Sequence, residues 1–355
     1  MPERVLHALP SPASVLCDRL GAEWPSIAAS REKTAQMTRR LARELRHLVP
    51  PETTLVVYGS LARGELTDGS DIDWTLLVDG AADPYHQEAA QRISGRMREM
   101  NLPPPAPGGA FGSLTFSHDL IHNIGGRDDT NQNTTQRLLL LLESAPIGDA
   151  GAYDRVVRNV LARYVEEDIV SPGDTPNRVP RFLQNDVSRY WRTMAVDFAH
   201  KRRMRGPAGW ALRNAKLRTS RKLMYAAGLL SCFSCDSAFR PAPGRQPWHD
   251  AQQVVEHLAR MVRATPLDIV AGVVLSYFGE LSGAGGRLFG AYDEFLGLLH
   301  ARRDHLKALL PWQADADPVY QHARELGRCF QDALTEIFFT CDTPLRDLTI
   351  RYGVF

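Results

Sequence analysis

Residues 55–80, LVVYGSLARGELTDGSDIDWTLLVDG, limit what this chain can fold into more than any other stretch. Two short apolar runs, 55–58 (LVVY) and 74–78 (WTLLV), are bounded by Gly, Asp and Ser. Runs of that kind predict β-strands, and the polar segment between them predicts the loop that joins them. Gly59 and Ser60 stand where the first strand ends, and Asp71 and Asp73 where the second opens. Residues two apart on a strand point to the same side. The two carboxylates are therefore expected to share one site beside a glycine-bearing turn.

The remainder of the chain must build a scaffold for that site. Its 355 residues suffice for two domains and a sizeable core, and 44% hydrophobic with 23% charged residues is an ordinary globular composition. A formal net charge of +1 gives no global basic field for nucleic acid. Five cysteines, Cys17, Cys232, Cys235, Cys329 and Cys341, are odd in number and widely spread, which suits a reducing compartment better than a disulfide framework. Cys232 and Cys235 lack a second ligand pair downstream. The first residues show no basic region followed by an apolar one, and no apolar run approaches the ~20 residues that cross a bilayer. A cytoplasmic protein with no membrane partner is expected.

Along the chain, 11–50 predicts helix, with Met37, Leu41, Leu45 and Leu48 near helical spacing. Residues 84–100 predict a helix opened by Pro84. Residues 102–112 (LPPPAPGGAFG) predict a loop and 113–125 a strand; 128–144 carries Asp and Thr cap signals before a run of leucines. From about 150 onward the pattern is helix after helix, interrupted at 171–180, 240–247 and 282–286 (SGAGG). The expected division is an N-terminal helical segment (1–50), a small α/β head (51–150) and a helical body (151–355).

Gly59-Ser60, ten residues, then Asp71-x-Asp73 before an apolar strand resembles the signature of the polymerase β-like nucleotidyltransferases. That resemblance implies an α+β head with a mixed sheet flanked by helices, followed by an α-helical C-terminal domain. Nucleotidyl transfer concentrates negative charge on an α-phosphate and a departing pyrophosphate. Two divalent ions, Mg2+ or in its place Mn2+, clamp such oxygens and are held by hard oxygen ligands. Asp71 and Asp73 are the expected ligands. Gly59 and Ser60 would offer backbone N–H groups and a hydroxyl to the triphosphate, and Arg63 a further phosphate contact. Such sites take a third carboxylate from a later strand, and Asp119 in FSHDLIH (116–122) is the best candidate. Asp128 and Asp129 sit where a helix cap is expected. Glu65 and Asp68 are expected to face solvent, and His118 and His122 to be polar strand residues, with a place beside the metal as their alternative.

Residues 128–161 resemble the bacterial protein-modifying branch of that superfamily, which includes the uridylyltransferase of nitrogen control and the glutamine synthetase adenylyltransferase. Residues 210–230 resemble the Lys- and Arg-bearing helix that follows the head there. The chain departs from the uridylyltransferase in having neither the metal-dependent His-Asp domain nor the ligand-sensing domains after the head. The implied reaction moves a nucleoside monophosphate, ATP favoured as donor, to a protein side chain or an RNA end, with no DNA sequence recognition. The other readings are a second-messenger synthase and a nucleotide-binding module without turnover.

Between 200 and 222 stand Arg202, Arg203, Arg205, Arg213, Lys216, Arg218, Arg221 and Lys222. Arg213 and Lys216, three apart on a helix, share a face. They are the expected clamp on the triphosphate, while the rest form either a solvated face or a track for an RNA backbone. Phe182, Tyr190, Trp191 and Phe198 are expected to pack between helices.

Overall fold

The two apolar runs pair as an antiparallel hairpin in the computed structural model, which describes residues 10–103, 105, 111–168, 178–204, 207–239, 248 and 250–354, without the side chains of 201, 202, 204 and 354. Strand β1 (Thr53–Tyr58) pairs with β2 (Asp73–Val78) from Thr53↔Val78 to Tyr58↔Asp73. On the far side of β2 lies β3 (Ser113–Phe116), parallel to it, and on the far side of β1 lies β4 (Ser144–Ile147), antiparallel. The sheet order is β3-β2-β1-β4. The register puts Asp73, Tyr58 and Ser144 in one row across one end of the sheet.

Helices α1 (Pro12–Leu20) and α2 (Pro25–Leu45) precede the sheet. Helices α3 (Pro84–Glu99), α4 (Ser117–His122) and α5 (Asn131–Leu142) lie between its strands. Then come α6 (Gly151–Asp168), α7 (Arg181–Met204), α8 (Trp210–Arg218), α9 (Ser220–Phe233) and α10 (Ala251–Arg263). The chain closes with α11 (Pro266–Ser276), α12 (Phe278–Ala308), α13 (Pro311–Ala314), α14 (Pro318–Thr335) and α15 (Pro344–Leu348). An α/β head followed by a predominantly helical region is the architecture the sequence implies.

Strand alternation decides how head and body meet. Leu55, Val57, Trp74 and Leu76 face one side, where Leu41 and Leu45 of α2 and Ala89, Ile93 and Met97 of α3 cover them. Val56, Tyr58 and Leu77 face the other, and join the core of the body through Tyr153, Val156 and Val157 of α6. Full burial of such side chains contributes roughly 1.5–3 kcal/mol each. The sheet is thus a middle layer, with its site-bearing end open at the edge between the layers. The N-terminal segment is tied to both units, since α2 covers one face of the sheet and also packs on α12, while α1 packs on α11.

Four local expectations change. Residues 11–50 form two helices, because Gly21 takes a left-handed conformation (φ 59°) and caps the first. The strand expected over 113–125 stops at Phe116, opposite Val78 where β2 also ends, and the chain turns into α4 with Leu120 buried. The break expected at 282–286 does not occur. Helix α12 runs through those glycines, and a Cβ on Gly285 would lie 2.7 Å from Val274 Cγ1, so the glycine permits close packing on α11. Finally, β4 adds a strand within 144–147 despite Pro146, which an edge strand tolerates. The proposed break at 240–247 and most of those at 171–180 and 102–112 lie outside the described residues.

Candidate active site

The site begins where β1 ends. Gly59 adopts φ +69°, a conformation that favours glycine, and its N–H donates to the Glu143 carbonyl at 3.2 Å. The turn closes on itself through Arg63 N–H to Gly59 O (3.0 Å) and Glu65 N–H to Ser60 O (2.8 Å). A Cβ at Gly59 would sit 3.7 Å from Asp73 Oδ2, so turn and carboxylate are direct neighbours. Asp71 is exposed just before β2 and Asp73 is half-buried at its first position.

Asp73 accepts no hydrogen bond from a side chain among the described residues, and its acid is pushed up to about 6. Burial is the main cause; Asp71 and Glu143 push the same way, while Arg221 and Lys216 oppose them. Two adjacent carboxylates, one desolvated and without donors, fit a hard divalent cation. Among the described residues no third His, Cys, Asp or Glu completes a ligand set. A Mg2+ ion bound by one or two carboxylates takes its other oxygens from phosphates and water, so the pair suffices.

Cations from the body stand opposite. Lys216 on α8 has its ammonium lowered to about 7, by burial first and then by Arg303, Arg221 and Arg63, against the pull of Asp71. Its Nζ bonds to no side chain among the described residues. Arg221, at the start of α9, donates to Glu143 Oε1 at 2.5 Å. Arg303, next to the α12 kink at Arg302, has its Cδ 3.4 Å from where a Gly69 side chain would begin, on the loop leading to Asp71. A lysine depressed by burial and then by neighbouring guanidiniums regains its charge when a polyanion enters. The arrangement can therefore take a metal at one wall and a polyphosphate at the other.

Residues 38–103 match the family model of the nucleotidyltransferase domain, and the match contains the turn, both aspartates, β1, β2 and α3. The head is a nucleotidyltransferase domain. It is of the polymerase β-like kind, and the chain is accordingly a transferase of nucleotidyl groups. No curated protein sequence matches the chain.

Within this nucleotidyltransferase the structure brings together Gly59, Ser60, Asp71, Asp73 and Lys216 and separates others from them. Asp119 lies on α4, 58% exposed, with only His118 nearby at 3.7 Å. Because β3 runs parallel to β2, Phe116 sits beside Val78 and Asp119 beyond it, at the end of the sheet away from Asp73. The parallel direction of β3 removes Asp119 from the metal ligands. Arg63 is 6% exposed and is held by Glu65 (2.9 Å) and Glu143. Its phosphate contact gives way to an internal ion pair, and Glu65, expected in solvent, is buried with it. Arg213 curls back so that its Nη1 is 3.1 Å from where a Gly209 side chain would begin, a turn away from Lys216.

The basic cluster is dispersed. Arg218 packs on Gly327 of α14 and bonds Asn214 at 2.9 Å; Lys222 bonds Gln331 of α14; Arg221 turns inward. Arg203 is exposed on α7, while Arg205 and the Arg202 side chain lie outside the described residues. Asp129 is locked by Arg137 (3.1 and 2.9 Å), and Thr130 caps α5. Tyr190 is buried and Trp191 stacks on Tyr225, but Phe182 is 49% exposed. Cys232 and Cys235 are buried in the body, where burial pushes the Cys232 thiol up to about 12.

Three site residues escaped the sequence reading as such. Glu143 closes the leucine run of α5 directly before an edge strand too short and Pro-bearing to read as one. Arg221 was legible only as one cation among eight. Arg303 is more than two hundred residues from the aspartates, and no local pattern links it to them.

Proposed function

We propose that the site transfers a nucleoside monophosphate from a metal-bound nucleoside triphosphate, ATP favoured, to a protein side chain, releasing pyrophosphate. The observation that carries this reading is the Asp71–Asp73 pair set directly beside the Gly59–Ser60 turn, with Lys216 and Arg221 close enough to pull on the Asp73 acid. When bound, Mg2+ (two ions, with Mn2+ able to stand in) would neutralise the phosphate oxygens and polarise the α-phosphorus for attack.

The chain's own residues do the rest. Asp71 and Asp73 would hold the cations at the reacting phosphate, and burial of Asp73 keeps water from competing for them. Lys216 and Arg303 line the side where the departing pyrophosphate would lie, so the charge it gains stays compensated. Gly59 lets the triphosphate approach the backbone, and the Ser60 hydroxyl, which bonds no side chain among the described residues, is available to it. A protein acceptor is favoured over RNA because the described basic residues of that cluster, Arg203, Arg218, Arg221 and Lys222, point to three different places.

No helix is long and apolar enough to cross a membrane among the described residues; a cytoplasmic setting is part of the proposal. The test is incubation with each α-labelled nucleoside triphosphate, Mg2+ and cell extract. A labelled protein band supports the reading. Labelled RNA or a soluble labelled oligonucleotide would replace the acceptor, the latter with a second messenger.

A further inference from the structure

The residue beside the metal pair that the reaction scheme leaves without a task is Glu143. It sits one position before β4, next to the row that holds Tyr58 and Asp73. There it is close enough to raise the Asp73 acid, and a carboxylate in that place invites assignment as the third ligand. Its contacts say otherwise. Oε1 accepts from Arg221 Nη1 at 2.5 Å, Oε2 accepts from Arg63 Nη1, and the side chain is 2% exposed. Its carbonyl also accepts the Gly59 N–H. One residue thus fixes the turn through its backbone, the loop through Arg63, and the first turn of α9 through Arg221.

We infer that Glu143 is a positioning residue for the proposed nucleotidyl transfer: it aims Arg221 at the phosphate held by Asp71 and Asp73, and it is not a metal ligand. This rests on the reading given under Proposed function. Three observations carry it. Both carboxylate oxygens are engaged by guanidinium groups, and a carboxylate paired twice is a poor ligand because each bond must break before the cation is bound. Arg63 is itself anchored by Glu65 at 2.9 Å, so the array Arg221–Glu143–Arg63–Glu65 is braced at its far end on the turn that carries Ser60. Arg221 is bonded to the residue whose carbonyl holds the Gly59 N–H, and Gly59 lies directly beside Asp73 Oδ2, so the guanidinium is fixed at the turn that flanks the metal pair.

A guanidinium held in a fixed fork stabilises charge that develops during transfer, so its loss should appear in kcat. The test uses the full chain as Glu143→Gln, as Arg221→Lys and as the double variant. Manganese ions are counted by electron paramagnetic resonance in the presence of an unreactive triphosphate analogue, and steady-state kinetics and thermal melts are run alongside. We expect each single variant to bind as many Mn2+ ions as the unaltered chain. Each should lose about 10–100-fold in kcat, with nucleotide KM moved by less than about threefold. The double variant should fall within about threefold of the worse single, because the two residues act as one unit.

Fewer bound Mn2+ in Glu143→Gln, together with near-normal kcat in Arg221→Lys, would make Glu143 a metal ligand and overturn the inference. Multiplicative losses in the double variant would overturn it as well. If Glu143→Gln does not fold, the lysine variant decides alone: unchanged kcat rejects the inference. An unaltered chain that neither binds Mn2+ with the analogue nor transfers label would remove the proposed function, and the inference with it.

Discussion

Replacing Asp73 by Asn should stabilise the metal-free protein while abolishing its activity. In the folded chain the Asp73 acid is lifted to about 6, chiefly by burial and by its neighbours Asp71 and Glu143. From an ordinary value near 4, that lift corresponds to roughly 3 kcal/mol favouring the protonated form. Half-exposure and the nearby Arg221 and Lys216 reduce what removal of the charge can recover, to about 1–2 kcal/mol. That amounts to a few degrees in Tm for a chain of this size. The sign follows from linkage: the folded state holds this proton more tightly than the unfolded state. Its stabilising contribution is full below pH ~4 and is lost as pH rises through about 6. Melts of both proteins in chelator from pH 4 to 8 should draw apart between about pH 4 and 6 and keep a constant gap above it, with the Asn variant higher. Adding Mg2+ with an unreactive triphosphate should then raise the Tm of the unaltered chain and leave the variant where it is. An Asn variant that melts lower than the unaltered chain at pH 7.5 in chelator would refute the idea that Asp73 is an uncompensated carboxylate awaiting a cation.

Lys216→Met should raise nucleotide KM about tenfold or more. Because the Lys216 ammonium is lowered to about 7, KM of the unaltered chain should climb about fivefold between pH 7 and 8, a slope absent from the Met variant in parallel KM titrations. Asp119→Asn, at the opposite end of the sheet, should leave kcat within about twofold; a loss of activity without loss of fold would restore it to the metal site. Arg137→Met removes the buried partner of Asp129 and Asp186 and leaves them only the longer contacts to Arg189 as ion pairs, which should cost about 3 kcal/mol in denaturant titrations.

Local signals carried the head and fell short on its assembly. The Gly-Ser turn, the Asp-x-Asp and the two strands are contiguous, so alternation and turn chemistry sufficed to read them. The α3 boundaries followed from Pro84 in the same way. Asp119 was misplaced because the direction in which β3 joins β2 is a tertiary fact: an antiparallel β3 would have brought it back toward Asp73. SGAGG misled because glycine as a helix breaker and glycine as a close-packing surface look alike until the partner, Val274, is known. Glu143, Arg221 and Arg303 come from three remote segments that converge only when the body docks on the sheet. The Lys216 expectation came from helical spacing alone. Spacing alone also nominated Arg213, which the structure turns aside.

The proposed reaction breaks the bond between the α- and β-phosphates of the donor. The direct measurement is to run the purified chain with ATP labelled at the α-position and, separately, at the γ-position, with Mg2+ and extract, using Asp71→Asn/Asp73→Asn as control. Acid-stable label is expected on a protein from the α-position only, with pyrophosphate released in equal amount and both signals at least ~100-fold lower in the control. Transfer of the γ-label, or α-label incorporation that survives in a folded double variant, would contradict it.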